Sequence, residues 1–178
     1  MTTNKGNHFN NMGFALDESK SMKASKSMKT IITQLSEKFE LDLKASKVRL
    51  RLDQDGLMPL VIEKISTHLL SVAHYYYVNG HAVCDPKVVF LITSDDQWLA
   101  LEITQLVGGF CGYAELADDG KSVKRFNAAG QKDLCNYTKL WARNIADQGW
   151  LQHGVRTGND QHLDEIEIGL TPTPMLYT

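Results

Sequence analysis

Hydrophobic residues change period twice along this chain. Over residues 28–39, Ile31, Ile32, Leu35 and Phe39 recur at spacings of three and four, which predicts an amphipathic helix. At 47–52 the period falls to two. Val48, Leu50 and Leu52 alternate with Lys47, Arg49 and Arg51, the pattern of a half-buried strand with a basic outer side. Residues 58–65, 69–78, 82–93, 98–106, 110–116 and 122–126 are rich in β-branched and aromatic residues and predict further strands. The helical period returns at 131–150, where Leu134, Tyr137, Thr138, Trp141, Ile145 and Gln148 form one stripe and Gly149 supplies a stop. Short turns between the strands imply an antiparallel meander, because parallel neighbours need long crossovers. The expected fold is therefore α+β: a curved antiparallel sheet of six to seven strands, with an N-terminal and a C-terminal helix covering one face.

Asn79-Gly80 is the strongest hairpin signal, since a two-residue type I′ loop favours these residues. Counting outward from it places Val78 opposite His81, Tyr77 opposite Ala82, Tyr76 opposite Val83, Tyr75 opposite Cys84 and His74 opposite Asp85. Alternation then sorts His74, Tyr76 and Val78 to one side and Tyr75 and Tyr77 to the other. Pro86 has no N–H to give, so the ladder is expected to break there unless Pro86 sits at an edge or a bulge. A carboxylate beside an imidazole raises the imidazole pKa and fixes its tautomer. The His74–Asp85 pair is thus half of an acid–base constellation, and equally a way to satisfy two polar groups near a strand break.

Composition sets the outer bounds. The chain has 178 residues, 43% of them apolar and 22% charged, enough for one domain with loose ends. Residues 1–27 are rich in Asn, Ser and Lys, and repeat SKSMK at 19–23 and 25–29, which reads as a disordered arm. Residues 28–150 form the expected domain. Residues 151–178 carry one Arg against four acids and read as an acidic, flexible tail, within which LDEIEIGL alternates like a strand that adds to an edge. No run approaches the length of a membrane span, and the N-terminus shows no apolar signal region. Three widely spaced cysteines argue for a reducing compartment, with Cys84, Cys111 and Cys135 as small core residues.

The candidate chemistry is sparse. His74, His81, Cys84 and Asp85 cluster in sequence, but the hairpin count puts Cys84 across the sheet from His74, and no metal-ligand spacing occurs. No catalytic set, metal site or cofactor is expected. Arg49 and Arg51, with Tyr75 and Tyr77, are the candidate binding residues: two aromatics on one sheet face beside two cations. The same four offer a stacking platform for nucleic acid, although residues 30–150 hold 13 Lys and Arg against 15 Asp and Glu, with no basic stripe.

The segment 74–88, HYYYVNGHAVCDPKV, resembles the hallmark of an uncharacterised family of proteins encoded by phages, plasmids and integrative elements. The shared positions are His74, Tyr75, Tyr76, Asn79, Gly80, Asp85 and Pro86, and the resemblance runs from about residue 45 to 150. Acidic or amide positions of the family pattern are Tyr77, Val78, His81 and Lys87 here, so a mechanism built on those groups is not available to this chain. His74, Asn79, Gly80, Asp85 and Pro86 are read as a structural motif. The resemblance implies a small accessory protein of a mobile element, working in the cytoplasm of a bacterial host, and no activity. The leading expectation is a non-enzymatic binding protein whose partner is a host or rival protein complex, acting as an inhibitor of a bacterial defence system by occluding a surface. A nucleic-acid-binding factor in replication or transfer comes second, an enzyme using His74 and Asp85 third, and no membrane partner is expected.

Overall fold

The structure, a computed structural model, describes residues 17–158. A 3₁₀ turn (Glu18–Ser21) leads into helix α1 (Lys26–Lys38). Six strands follow: β1 (Arg49–Asp53), β2 (Leu60–Lys64), β3 (Leu69–Val78), β4 (His81–Ile92), β5 (Trp98–Gln105) and β6 (Gly109–Gly112). Then come β7 (Ala114–Leu116), β8 (Val123–Phe126), α2 (Ala128–Asp147), the short α3 (Trp150–His153) and β9 (Val155–Arg156). Seven strands make one antiparallel sheet in the order β6-β5-β4-β3-β2-β1-β9. The fold is α+β with an antiparallel meander, as the periodicity implies.

Helices α1 and α2 cover one face. Met28, Ile31, Ile32 and Leu35 from α1 join Leu134, Trp141, Ala142 and Ile145 from α2 and Trp150 from α3. They pack on Leu50, Leu52, Leu60, Ile62, Leu70, Val72, Val88 and Phe90, the alternate residues of the central strands. Asn127 starts α2 by accepting the Gly130 N–H at 3.0 Å. Gly149, in the left-handed region at φ 76°, ends the run and turns the chain into α3.

The seventh strand of the sheet is not the one the sequence indicates. Residues 110–116 do not run through as one strand. After β6 the Tyr113 N–H bonds the Leu101 carbonyl, the Tyr113 carbonyl accepts from Asn127, and the chain leaves the sheet to pair β7 with β8 as a separate two-stranded ribbon. That ribbon and Met22 lie over Leu91, Leu99 and Leu101 and build a second, smaller core on the opposite side of the sheet. A bulge between β4 and β5 makes this side possible. Val89 pairs with Glu102 but Phe90 pairs with Ala100, leaving Leu101 to join Leu91 and Leu99.

Packing extends past residues 28–150 at both ends. Residues 17–25 are held by polar hooks that a hydrophobic pattern does not reveal. Gln131, buried on α2, exchanges two hydrogen bonds with the Lys23 backbone at 2.9 and 2.8 Å. The Ser25 N–H donates to the Trp98 carbonyl, and its hydroxyl meets Thr138 at 2.9 Å. Asp17 accepts from the Val123 and Ser19 N–H groups. At the other end, β9 is too short to show an alternation, yet it pairs with β1 and Thr157 bonds Asp53. The rest of the expected arm and tail, residues 1–16 and 159–178, lies outside the described residues.

Candidate binding face

Register fixes which side chains share a face. Asn79 and Gly80 both have positive φ, 52° and 82°, and close the two-residue loop. From there Val78 pairs with His81, Tyr77 with Ala82, Tyr76 with Val83 and Tyr75 with Cys84, as counted. The next pair is Ala73 with Lys87. Strand β4 therefore contributes both Asp85 and Pro86, joined by a cis peptide, where β3 contributes only His74. The ladder breaks at Pro86 as a bulge.

This bulge separates the polar pair expected from sequence. His74 is buried on the helix side, its ring centroid 5.7 Å from Trp141 and 6.1 Å from Trp150. Its Nδ1 lies 3.2 Å from the Met58 carbonyl and 3.4 Å from that of Pro59. Both are acceptors, so Nδ1 carries the proton. Asp85 instead accepts the Leu106 N–H at 3.2 Å and pins the β5–β6 turn. Burial lowers the His74 pKa, against the two carbonyl hydrogen bonds that raise it. The expected rise from Asp85 is overturned, because the carboxylate is spent on a backbone amide elsewhere.

The four candidate binding residues do come together, on the side of the sheet away from the helices. Arg49 pairs with Glu63 and Arg51 with Val61; Val61 pairs with Ala73 and Glu63 with Ser71; Ala73 pairs with Lys87 and Ser71 with Val89. Tyr75 and Tyr77 continue that side beyond the bulge. Val61 and Ala73 are each only 1% exposed, although the second core covers only the β4–β5 end of this face. Longer neighbours must therefore shield them: Arg49, Arg51, Glu63, Tyr75, Tyr77 and Lys87 form a polar and aromatic layer over a floor of small residues.

The layer is partly tied down. Arg51 bonds Asp53 through Nε at 3.2 Å and donates from Nη1 to the Tyr77 hydroxyl at 3.2 Å. That places the Tyr77 ring beside β1 while leaving it 57% exposed. Burial pushes the Tyr75 phenol up to about 12, with Cys84 and Glu63 adding to the rise and Arg49 opposing it. Glu102, farther along this side on β5, is raised by burial and lowered by Lys87. At the rim Phe110 on β6 is 65% exposed, and Leu106 and Val107 stand out at the neighbouring turn. Glu63, Lys87, Glu102 and Phe110 on this side are not indicated by the alternation of any single strand. Their signal was the cross-strand register, which becomes countable only once every strand is paired.

Other expectations fare differently. Cys111 is exposed on β6 and not in the core, because β6 is an edge strand with nothing beyond it among the described residues. Cys84 and Cys135 are half-buried. Among the described residues no group of three or more His, Cys, Asp or Glu is arranged to hold a metal ion. No helix there is long and apolar enough to cross a membrane.

The family model for a domain of unknown function, DUF6908, matches residues 26–151. The chain belongs to the DUF6908 family. No curated protein and no solved structure matches it. The DUF6908 match runs from the start of α1 into α3, and so includes every residue of the candidate face. It leaves out the N-terminal 3₁₀ turn and β9, the two additions that the periodicity did not indicate.

Proposed function

We propose that this protein is an accessory binding protein of a mobile genetic element, and that it works by laying the Arg49–Arg51–Tyr75–Tyr77 face of its sheet against a host or rival protein complex. A bacterial defence system is the partner class. The observation that carries the reading is the face itself: two arginines and two tyrosines on one side of a sheet, over small buried residues, with one tyrosine hydroxyl held by an arginine. Arg and Tyr dominate interface energies because they combine large contact area with hydrogen bonds. The resemblance of residues 74–88 to proteins of phages, plasmids and integrative elements supports the mobile-element part. Occlusion of a surface asks for no catalytic group, and the buried, neutral environment of His74 suits packing.

Capture from bacterial lysate tests this. The unaltered chain is expected to retain a defined protein set that an Arg51→Ala/Tyr77→Ala variant loses and a Leu140→Ala variant keeps, Leu140 being exposed on the helix side. Retention of the same set by the face variant overturns the reading.

A second reading has its own support, since the same aromatic and cationic side chains suit stacked bases beside a phosphate chain. It expects oligonucleotide binding that weakens steeply with salt and is lost in Tyr75→Ala/Tyr77→Ala.

A further inference from the structure

A cleft of about 440 Å³ opens between the β5–β6 hairpin and the β7–β8 ribbon, on the side of the sheet away from the helices. Glu102, Phe110, Gly112, Glu115, Arg125 and Phe126 are among the residues that line it. Register accounts for its floor. Glu102 on β5 stands opposite Gly112 and Thr104 opposite Phe110, so alternation puts Glu102 and Phe110 on one side. Gly112 carries no side chain, and the Phe110 ring lies over it: a Cβ at Gly112 would meet the ring Cζ at 3.3 Å. The ring is thereby laid back along β6 toward the level of Glu102, and it remains 65% exposed. Phe126 forms the wall on the ribbon side, held there with Ala114 by packing on the second core.

Charge singles out one group in this cleft. Glu115 is paired with Arg125 and Lys124 across the ribbon. Glu102 is half-buried, yet it has no hydrogen bond and no ion pair from its side chain among the described residues. Lys87, opposite the neighbouring Thr104, acts on it from β4 without closing to an ion pair. Burial accordingly raises the Glu102 pKa, against the lowering by Lys87. A carboxylate removed from water without a donor is costly, and a ligand that brings a charged donor recovers that cost. A hard metal ion is a poor match, because it takes several oxygen ligands and a single unpaired carboxylate faces the cleft. Aromatic faces attract organic cations and also cover an apolar stem. The chemistry that fits is an ammonium or guanidinium at the end of a hydrocarbon chain.

We propose that this cleft receives a lysine or arginine side chain of a partner protein, its stem between Phe110 and Phe126 and its charge on Glu102. The site lies on the same side of the sheet as Arg49, Arg51, Tyr75 and Tyr77 but uses none of them. Its role as a partner anchor rests on the reading of that side as a partner surface; its capacity to bind a cation does not. A partner that fits both would carry a basic residue for the cleft and acceptors for Arg49 and Arg51.

NMR titration of the isotope-labelled full chain with Nα-acetyl-lysine amide and Nα-acetyl-arginine amide tests the site. At least one of the two is expected to shift the signals of Glu102, Phe110, Gly112 and Phe126 saturably, and the tighter of them names the side chain. The uncharged Nα-acetyl-norleucine amide should leave those signals in place. Glu102→Gln should weaken binding about tenfold or more, and Phe110→Ala, at an exposed position that the fold does not need, about fivefold. Lys87→Met removes the competing cation and should tighten it. Equal binding of norleucine amide, or cation binding that ignores both Glu102→Gln and Phe110→Ala, overturns the proposal. So does binding that appears only in Lys87→Met, since Lys87 would then already occupy the carboxylate. The two readings fail separately. No cation binding with partner capture that depends on Arg51 and Tyr77 leaves only the partner surface, and cation binding with capture that ignores them leaves only the cleft.

Discussion

The imidazole of His74 and the indole of Trp141 lie 5.7 Å apart, centroid to centroid, with their planes tilted by 59°. Strand β3 supplies one and helix α2 the other, so this contact joins sheet to helix at the level of the β4 bulge. The imidazole is neutral there, and its pKa falls below the ordinary 6.5 because burial penalises the cation. The unfolded chain takes up the proton first as pH drops. Stability from this group is therefore complete above 6.5 and is lost as pH falls toward and through the lowered value. Denaturant titrations between neutral pH and about pH 5 should show a shallower loss of stability in His74→Gln than in the unaltered chain. Equal slopes would place the imidazole in solvent.

Trp141 anchors α2 from the other side. It is 6% exposed, and Tyr137 stacks near it at 6.3 Å. Trp141→Ala removes the largest side chain on the helix stripe and should cost about 3–5 kcal/mol, read from chemical denaturation. A cost under about 1 kcal/mol would mean that the stripe does not close the core.

Gly130 and Tyr113 give a test with a change of sign. A Cβ at Gly130 would sit 2.2 and 2.4 Å from ring carbons of Tyr113. Overpacking of this kind costs about 1–3 kcal/mol, against up to about 1 kcal/mol gained by replacing a helical glycine with alanine. Gly130→Ala should destabilise the unaltered chain and stabilise a Tyr113→Ala background. A double-mutant cycle on melting curves measures both, and additive effects would show that the ring moves aside freely.

How much of this the sequence disclosed depends on whether a feature is local. The register from Val78–His81 to Tyr75–Cys84 follows from Asn79-Gly80 alone, because two positive-φ residues leave one way to count. Trp141 and Ile145 declare themselves by spacing. His74 fails at the next step, since one extra residue at Asp85–Pro86 redirects the carboxylate, and counting cannot say which strand takes the bulge. Residues 110–116 read as one strand because nothing in their pattern marks Tyr113 as the point where the chain leaves the sheet. The partners met at that point are distant in sequence: the Tyr113 carbonyl accepts from the Asn127 N–H, and its ring lies against Gly130. Residues 17–25 look disordered because their anchors are Gln131 and Thr138, polar residues of a distant helix. The candidate face was half legible: alternation paired Arg49 with Arg51 and Tyr75 with Tyr77, while the strand order that brings the two pairs together is a tertiary fact.

Tyr75 offers the last test, within the layer that covers that face. Its phenol is pushed up to about 12, first by burial and then by the neighbouring Cys84 and Glu63, with Arg49 pulling the other way. In the unfolded chain the same phenol ionises near 10.0. Because the folded value is the higher one, the stability it brings is full below 10.0 and is lost as pH rises toward 12. Phenolate absorbance during alkaline titration should show Tyr75 among the last of the six tyrosines to ionise, and Tyr75→Phe should remove that late step. The variant should also hold its fold to higher pH than the unaltered chain. Replacing Arg49 with Gln in the same titration removes the one group that favours the phenolate, so the late step should move later still. An earlier step in the Arg49→Gln variant would mean that Arg49 shields Tyr75 from water more than it attracts the charge. The layer over Val61 and Ala73 would then be held by packing alone.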